Sequence, residues 1–427
     1  MAEAVSGNKL TYIDLFAGAG GLSEGFVSQG FEPVAHIEMN QDACSTLRTR
    51  ACYYYLKSIG NLKAYKRYLK KELTQEEFWS LVPKKIHERV ICESLAEETM
   101  ASIQKKIDKS MRDMRVSQID LLVGGPPCQA YSLVGRGRKC MDNDPRNLLY
   151  RLYIKIIERY RPRMFVFENV PGLLTAGNGS HMKNIIQSFA DVGYSCQHSI
   201  LDASDYGVLQ HRKRVIIIGW KSSQKRNFPT IPTVVGRFKV KNLLSDLPPV
   251  LPGQSRDKYE KPSINRYLKE TGIRQRGDVL TWHVARNHIE RDRTIYRIAI
   301  NKWNRTKQRI RYNELPEELK THKNKTGFLD RYKVVAGNLP ASHTMMAHIA
   351  KDGHYYIHPD IHQARSLTVR EAARIQSFPD DFYFEGSRTS AFTQIGNAVP
   401  PLMAKSIAKA IYSQLETGNK NEQNINS

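Results

Sequence analysis

The sequence lacks long apolar runs and closely paired cysteines. No apolar run approaches the roughly 20 residues needed to cross a bilayer, and the first ten residues lack the apolar stretch of a signal peptide. The six cysteines show no CxxC pairing, so neither a zinc site nor a disulfide framework has support in their spacing. We therefore expect a protein of a reducing cytoplasm, without a membrane partner and without a metal site.

Acidic residues are too few to balance the basic ones. The chain contains 65 Lys and Arg against 42 Asp and Glu, a formal net charge of +23. Residues 221–340 alone contain 27 basic and 11 acidic residues, which places a surplus of 16 positive charges in this segment. A basic amphipathic helix with an aromatic face, the pattern of membrane-surface binding, is not recognisable there. The charge therefore favours a nucleic acid as partner.

Short apolar runs alternate with helical stretches along much of the chain. Its 427 residues, 41% of them hydrophobic, suffice for two or three domains. The runs are nearly continuous in apolar residues, as in parallel strands buried on both faces. They span residues 10–16, 33–38, 119–123, 164–167 and 215–218. The alternation predicts an α/β fold with an open, mostly parallel, doubly wound sheet.

Two regions interrupt this alternation. Residues 51–115, rich in Tyr, Lys and Glu, indicate a helical insertion between the second and third predicted strands. Residues 221–362 are basic and interrupted by prolines, and we expect them to form a separate, smaller domain. The main domain would comprise residues 1–220, and residues 363–415 would return to it. The polar residues 416–427 are expected to form a disordered tail.

A Gly-rich turn follows the first predicted strand and precedes a helix, in the segment Asp14-Leu-Phe-Ala-Gly-Ala-Gly-Gly21. Glycines allow backbone N–H groups to approach a ligand, and the helix N-terminus favours an anionic group. Glu38 ends the next predicted strand, where a carboxylate can hold a ribose diol. The pattern fits NAD, FAD and S-adenosylmethionine equally, and it also occurs in tight turns that bind nothing.

Three further segments combine reactive or charged side chains with the ends of predicted strands. Cys128, in Gly-Gly-Pro-Pro-Cys-Gln-Ala-Tyr-Ser, directly follows a strand, where a side chain faces the ligand crevice of α/β folds. Glu168, in Phe-Glu-Asn-Val-Pro-Gly, also ends a strand, where it either donates a proton in the crevice or caps the next helix. The segment Gln210-His-Arg-Lys-Arg214 precedes another strand and either grips phosphate and base or forms a solvated loop.

Together these segments resemble, in matching order, the motifs of the DNA cytosine-5 methyltransferases. Two later segments, residues 365–379 (RSLTVREAARIQSFP) and 394–400 (QIGNAVP), resemble the ninth and tenth motifs of that family. The resemblance implies a Rossmann-like, S-adenosylmethionine-dependent methyltransferase fold, with residues 1–220 as the catalytic and cofactor-binding domain. Residues 221–362 occupy the place of the family's target-recognition domain. The resemblance covers residues 10–50, 119–220 and 365–412.

The resemblance also assigns catalytic roles by position. Cys128 corresponds to the nucleophile of the Pro-Cys-Gln motif, in which Gln129 is its neighbour. Glu168 corresponds to the acid at N3 of cytosine. Arg214 corresponds to a contact to the base, and Arg212 to a residue nearer the DNA phosphates. The other five cysteines are expected to be small buried apolar residues.

Cofactor contacts are implied in the same way. Phe16 would stack on the adenine of S-adenosylmethionine, Glu38 would hold its ribose, and Asn397 would reach its methionine end. Met39 stands where many members carry an aromatic residue, and the insertion at 51–115 displaces the third motif, for which we take Glu93. The expected contacts are Phe16, Ala17, Gly18, Gly20, Gly21, Leu22, Glu38, Met39, Glu93, Pro126, Leu149, Asn397 and Ala398.

The predicted function is methyl transfer from S-adenosylmethionine to carbon 5 of a flipped-out cytosine within a specific double-stranded DNA sequence. The resemblance favours a monomeric, bacterial or phage-encoded modification enzyme of a restriction-modification system. Whether a cognate restriction endonuclease acts on the same site is left open. The alternatives are a methyltransferase acting on cytosine 5 of transfer RNA, an inactive DNA-binding relative and a dinucleotide-dependent oxidoreductase. The long basic region disfavours the first, and the presence of Cys128 and Glu168 disfavours the second. The oxidoreductase explains the Gly-rich turn alone.

Overall fold

A computed structural model describes residues 9–127, 149–234, 236–321, 324 and 329–425. In this part of the chain, a seven-stranded sheet has the order β3-β2-β1-β4-β5-β7-β6. The strands are β1 (Thr11–Leu15), β2 (Glu32–Glu38), β3 (Val90–Cys92), β4 (Leu121–Gly124), β5 (Met164–Asn169), β6 (Tyr194–Asp202) and β7 (Lys213–Lys221). The pairings among β1 to β5 are parallel, whereas β7 runs antiparallel to both β5 and β6. The predicted Rossmann-like, mostly parallel α/β fold is confirmed.

Helices cover both faces of this sheet. The helices of the described chain are α1 (Gly21–Ser28), α2 (Gln41–Ser58), α3 (Leu62–Leu69), α4 (Gln75–Ser80), α5 (Lys84–His87), α6 (Glu97–Met114), α7 (Leu149–Tyr160), α8 (Ser180–Asp191), α9 (Lys241–Leu244), α10 (Arg266–Thr271), α11 (Glu290–Thr306), α12 (Val369–Ile375), α13 (Arg388–Asn397) and α14 (Pro401–Ile425), and only some of them pack on the sheet. Apolar residues of α6, α7 and α8 pack on one face, and those of α1 and α14 pack on the other. Burial on both faces explains why the strands are apolar throughout.

The interpretation of residues 51–115 as an insertion is wrong in part. The segment contains β3, which pairs with β2, and α6, which packs on the sheet. Only α3, α4 and α5 are additional to the strand-and-helix units of the sheet. A strand of three residues at the sheet edge is too short to show the periodicity from which strands are predicted.

The predicted disorder of the C-terminal tail is also wrong for residues up to 425. Helix α14 begins at Pro401 and extends to Ile425. Its first half is anchored by buried residues such as Met403 and Ile411. Once such a helix is nucleated, each further residue adds one hydrogen bond at little cost, so polar residues can continue it.

Residues 221–362 contribute to two apolar cores. One core lies around α11 and includes Ile295 and Tyr332. The other joins residues such as Leu243 and Tyr267 to Val369 of α12 and Phe392 of α13. The boundary predicted at residue 362 therefore lies within a shared core, and the division into domains stays a prediction.

Buried ion pairs attach α12 to its surroundings. Arg374 pairs with Asp246 of the basic region at 2.6 Å and with Asp380 at 2.5 Å. Arg365 donates to both carboxylate oxygens of Glu371 at 2.8 Å. Removing one partner from such a pair leaves an uncompensated buried charge, which typically costs about 3–5 kcal/mol. The ninth motif thus fixes residues around 246 to the C-terminal segment.

Candidate active site

The parallel strands bring the predicted site segments to one edge of the sheet. Leu15, the last residue of β1, pairs with Ile37 of β2 and with Gly124 of β4. Gly124 in turn pairs with Phe167 of β5. The Gly-rich turn, Glu38, the segment before Cys128 and Glu168 all continue from these paired positions. This edge is where open α/β sheets bind ligands.

The Gly-rich turn fixes the carboxylate of Glu38 through backbone donors. The N–H of Gly18 donates to Oε2 at 2.8 Å, while those of Met39 and Asn40 donate to Oε1 at 2.9 and 2.8 Å. Phe16, which precedes the turn, has a φ of +56°, a conformation that is strained for a bulky residue. Gly18 has a φ of +54° with open space where a side chain would begin. The turn therefore combines a held acid, a strained aromatic residue and room for a ligand.

The C-terminal candidates lie against this turn. A side chain on Gly21 would overlap the backbone carbonyl of Val399 and would also meet the side chain of Ala398. Asn397 is the last residue of α13 and is exposed next to them. The structure thus brings the tenth motif to the first motif across more than 370 residues of sequence.

The remaining candidates differ in exposure. Ala17, Leu22 and Pro126 are buried, and Leu149 is half-buried at the start of α7. Met39 is 70% exposed beside Glu38, where it could pack on a ligand.

Glu93 lies at the correct edge but is already engaged. It follows β3, whose last residue Cys92 pairs with Glu38. Its Oε1 accepts from Ser102 Oγ at 3.2 Å and forms an ion pair with Lys106. Its assignment as an adenine contact stays a prediction.

Glu168 and Arg214 form a close ion pair. Arg214 Nε lies 2.6 Å from Glu168 Oε1, and each side chain is largely buried. The antiparallel pairing of β5 and β7 places the two strands side by side. The alternative that Glu168 is an exposed acid capping the next helix does not fit, since the short helical turn after Val170 has no side-chain cap.

The peptide leading to Cys128 passes directly over Glu168. A side chain on Gly125 would overlap the Oε2 atom of Glu168, so a larger residue there would require one of the two to shift. The carbonyl of Pro126 accepts from Asn169 Nδ2 at 3.4 Å. Cys128 and Gln129 themselves lie outside the described residues.

The position of Arg212 corrects the sequence prediction. Arg212 is 1% exposed, and its terminal nitrogens donate to the carbonyls of Met345 at 2.6 Å and Gly396 at 3.0 Å. A side chain so enclosed has no surface for a DNA phosphate, so the predicted phosphate contact is wrong. His211 and Lys213, which flank it, are the exposed members of the segment. The neighbours Arg212 and Arg214 therefore differ in role.

A buried acid, Asp14, was not singled out from the sequence as a candidate. It lies in β1, two residues before the turn, and is 1% exposed. Its Oδ2 atom has no hydrogen-bond partner among the described residues. Burial, with a smaller contribution from Glu38, raises the pKa of Asp14 well above its usual range. An acidic residue near the end of a predicted strand was the sequence feature that could have identified Asp14.

Burial makes two of the described cysteines, Cys52 and Cys196, unsuited to nucleophilic chemistry. Cys44 and Cys52 are buried, and Cys92 and Cys196 are partly buried. Burial raises the pKa of the Cys52 and Cys196 thiols to about 12. A thiol of such high pKa stays protonated and unreactive at neutral pH. Cys140, like Cys128, is outside the described residues.

A cleft of about 650 Å³ lies away from this edge, between α1 and α2. It includes Gly20 but none of the candidates Phe16, Glu38 and Met39. We place the candidate active site at the strand ends, because Glu38, Glu168 and Arg214 lie there. Among the described residues, no cluster of His, Cys, Asp and Glu could hold a metal ion. No described helix is both long and apolar enough to span a membrane.

Comparison with known proteins agrees with this geometry. The family model described as C-5 cytosine-specific DNA methylase matches residues 10–73 and 72–413. The Type II methyltransferase M.Bpa9945I of Bacillus paralicheniformis is 41% identical over 437 residues, which cover 93% of this chain and 98% of that protein. The Type II methyltransferase M.AgeI of Thalassovita gelatinovora is 30% identical over 466 residues, with coverage of 93% and 98%.

Two solved structures share the fold. A putative DNA modification methyltransferase encoded within an E. coli prophage has a TM-score of 0.62 at 23% identity, covering 95% of this chain and 99% of that one. The methyltransferase EhMeth of Entamoeba histolytica has a TM-score of 0.55 at 14% identity, covering 96% and 99%. At these identities the likeness concerns the fold alone.

Proposed function

Because the chain belongs to the C-5 cytosine-specific DNA methylase family, we propose that it methylates cytosine in double-stranded DNA with S-adenosylmethionine, through a covalent bond to Cys128. The observation that carries this proposal is the position of Glu168. It is paired with Arg214 at 2.6 Å and lies beneath the peptide that leads to Cys128. The proposed acid and the proposed base contact thus lie at one strand edge, beside the segment that precedes Cys128 in the sequence.

The residues at the strand ends fit S-adenosylmethionine. The fixed carboxylate of Glu38 suits a ribose diol, and the open space beside Gly18 allows a ligand to approach the backbone. Phe16 is available to stack on adenine, and exposed Asn397 is available for the methionine end. When bound, the cofactor supplies a methyl group activated by a sulfonium.

The chain's own residues prepare the cytosine. The Cys128 thiolate adds to carbon 6 of the ring, and the displaced electron pair makes carbon 5 nucleophilic. Glu168 supplies a proton at N3, which relieves the negative charge that builds on the ring. Once carbon 5 carries its methyl group, a base removes the proton there, Cys128 is expelled as the ring regains its double bond, and N3 returns its proton to Glu168.

Arg214 orients the acid for this task. It engages Oε1 of Glu168, which leaves Oε2 on the side of Gly125, three residues before Cys128 in the sequence. An incoming base therefore meets a carboxyl group whose orientation is already set. Such preorganisation saves the cost of arranging the donor during the reaction.

The basic region 221–362 is proposed to read the DNA sequence. Its charge surplus is suited to phosphate contacts, and the buried ion pair between Asp246 and Arg374 attaches it to α12. We further propose that the protein acts as a monomeric modification enzyme of a restriction-modification system, with a cognate endonuclease at the same site. Transfer RNA remains the second substrate to be tested.

Bisulfite sequencing of DNA from cells expressing the chain tests the function directly. We expect full protection of cytosine at one position of a short, recurring sequence, and none in cells that express Cys128→Ala. Methylation confined to RNA would favour the alternative substrate. Methylation of neither nucleic acid by the folded protein would contradict the proposal.

A further inference from the structure

Three buried polar side chains outside the reacting groups form a continuous hydrogen-bond network. Gln210, Arg212 and Gln376 are each at most 1% exposed. Gln210 Nε2 donates to Gln376 Oε1 at 2.8 Å, and Gln210 Oε1 accepts from the N–H of Met345 at 2.7 Å. Arg212 donates to the carbonyl of Met345 at 2.6 Å. Met345 is thus held at both of its backbone polar groups.

The same network holds the end of α13. Gln376 Nε2 donates to the carbonyls of Ile395 at 2.6 Å and Ala398 at 3.2 Å. Arg212 reaches the carbonyl between them, that of Gly396, at 3.0 Å. The turn that presents Asn397 is therefore fixed by donors from two separate segments. These carbonyls are among those that a helix end leaves without intrahelical partners.

Arg212 achieves this without an ion pair among the described residues, which is unusual for a buried guanidinium. Desolvation of such a charge is costly unless hydrogen bonds compensate it. The planar fork of arginine can bridge two carbonyls at once, which neither lysine nor glutamine can do with the same geometry. A costly residue that joins two backbone segments indicates a positioning role.

The two segments serve different halves of the proposed reaction. Arg212 lies two residues before Arg214, which holds Glu168 at the base site. Gly396 directly precedes Asn397, the candidate for the methionine end of the cofactor. The N–H of His211 donates to the carbonyl of Ser342, and the N–H of Ser342 donates to the carbonyl of Leu209, both at 2.9 Å. These bonds attach the chain around residue 342 to the segment that precedes β7.

We propose that Gln210, Arg212 and Gln376 form a positioning clamp, which fixes the Asn397 turn relative to Arg214. The clamp thereby keeps the methyl donor and the target base in a fixed position relative to each other. This inference rests on the proposed function, because it takes Asn397 and Arg214 as ligand contacts. Neither Arg212 nor Gln376 contacts a reacting atom in this arrangement.

The test compares Arg212→Met, Arg212→Lys and Gln376→Met with Lys213→Met, which alters the exposed neighbour on the same strand. Affinity for S-adenosylmethionine is measured by calorimetry on the full chain without DNA, and kcat is measured on duplex DNA. We expect Arg212→Met and Gln376→Met to weaken cofactor binding by roughly 5- to 30-fold, the upper part of the range of coupling through packed networks. Lys213→Met should leave cofactor affinity within twofold of the wild type. The cofactor affinity of Arg212→Lys should lie between those of Arg212→Met and the wild type.

Arg214→Met should separate the effect on catalysis from the effect on cofactor binding. It should lower kcat while cofactor affinity stays within twofold, whereas Arg212→Met should lower both. Folding is checked by thermal melting, and if Arg212→Met does not fold, Arg212→Lys and Gln376→Met decide. Folded clamp variants that bind the cofactor as tightly as the wild type would overturn the clamp. Failure of the wild type to bind S-adenosylmethionine would instead refute the proposed function.

Discussion

The guanidinium of Arg214 lies 2.6 Å from the carboxylate of Glu168, on neighbouring antiparallel strands. The other carboxylate oxygen lies under Gly125, three residues before Cys128. One side chain thus joins the base-contact segment to the segment of the nucleophile. The orientation of Glu168 is set before any substrate arrives.

Glu168→Gln is expected to slow methyl transfer with little effect on cofactor binding. The amide preserves the shape of the side chain but cannot deliver a full proton, and general acid catalysis typically contributes about 10²- to 10⁴-fold. Single-turnover transfer of radiolabelled methyl groups to duplex DNA measures the effect. Activity within about threefold of the wild type would mean that another group protonates N3.

Gly125→Ala is expected to lower activity by at least tenfold, because the added methyl group would overlap the Glu168 carboxylate. Relieving this overlap requires a shift of Glu168 or of the Cys128 peptide, and displacements of about 1 Å can cost 10²-fold. Gly236→Ala is the matched control, since open space surrounds that position. Equal activity of the two variants would show that the close approach is unimportant.

The sequence was sufficient to predict which segments meet. Parallel strands end at one edge, so Glu38, Cys128 and Glu168, each placed at a predicted strand end, could be assigned to one crevice. The role of Arg212 could not be predicted, because arginine is almost always exposed and its partners are backbone carbonyls. Every residue has a backbone carbonyl, so the residue types at positions 345 and 396 do not reveal that their carbonyls accept from Arg212.

Strand β6 escaped prediction for a related reason. Several of its side chains are exposed or half-buried, so its sequence lacks the apolar run that identified β1, β2, β4, β5 and β7. Its position at the sheet edge is set by antiparallel pairing with β7. Such pairing depends on long-range contacts that local periodicity does not show.

Asp14→Asn is expected to stabilise the protein at neutral pH. The raised pKa means that folded Asp14 retains its proton at pH values where the unfolded chain has lost it. Folding therefore takes up a proton, and the free energy of unfolding falls as pH rises above about 4, the pKa of unfolded aspartate. Replacement by Asn removes this decline.

Denaturant unfolding of both proteins between pH 4 and pH 8 measures this effect. The difference in stability should grow towards pH 8 and shrink towards pH 4. Asp257→Asn, at an exposed position, should leave the pH dependence unchanged. A stability profile of Asp14→Asn parallel to that of the wild type would show that Asp14 is ionised in the folded state.

Exchange of residues 221–362 for the corresponding segment of a related enzyme is expected to transfer sequence specificity. The positive surplus of this region would supply phosphate contacts, and base contacts from it would select the site. Each Lys or Arg whose phosphate contact is lost should reduce the salt dependence of binding by about one unit of slope. An active chimera with an unchanged methylation pattern, read by bisulfite sequencing, would place specificity elsewhere.

Cys128 is expected to be trapped on DNA that carries 5-fluorocytosine at the target position. Release of the enzyme requires loss of the carbon 5 hydrogen as a proton, and fluorine cannot leave as a cation. The bond between Cys128 and carbon 6 should therefore persist after methylation, giving a denaturation-resistant complex only when S-adenosylmethionine is present. Gel electrophoresis detects the complex, and peptide mass spectrometry locates the modified residue.

Variants of the cysteines provide the controls for this experiment. Cys128→Ala should abolish the adduct, whereas Cys52→Ser and Cys196→Ser should retain it, because burial keeps both thiols protonated with a pKa of about 12. Substitution of Cys44, Cys92 or Cys140 should also be tolerated. An RNA enzyme would instead trap the fluorinated RNA, and an enzyme that methylates the exocyclic amine would need no cysteine adduct. An adduct on any cysteine other than Cys128, or no adduct on DNA containing the recognition site, would exclude the covalent mechanism proposed for this chain.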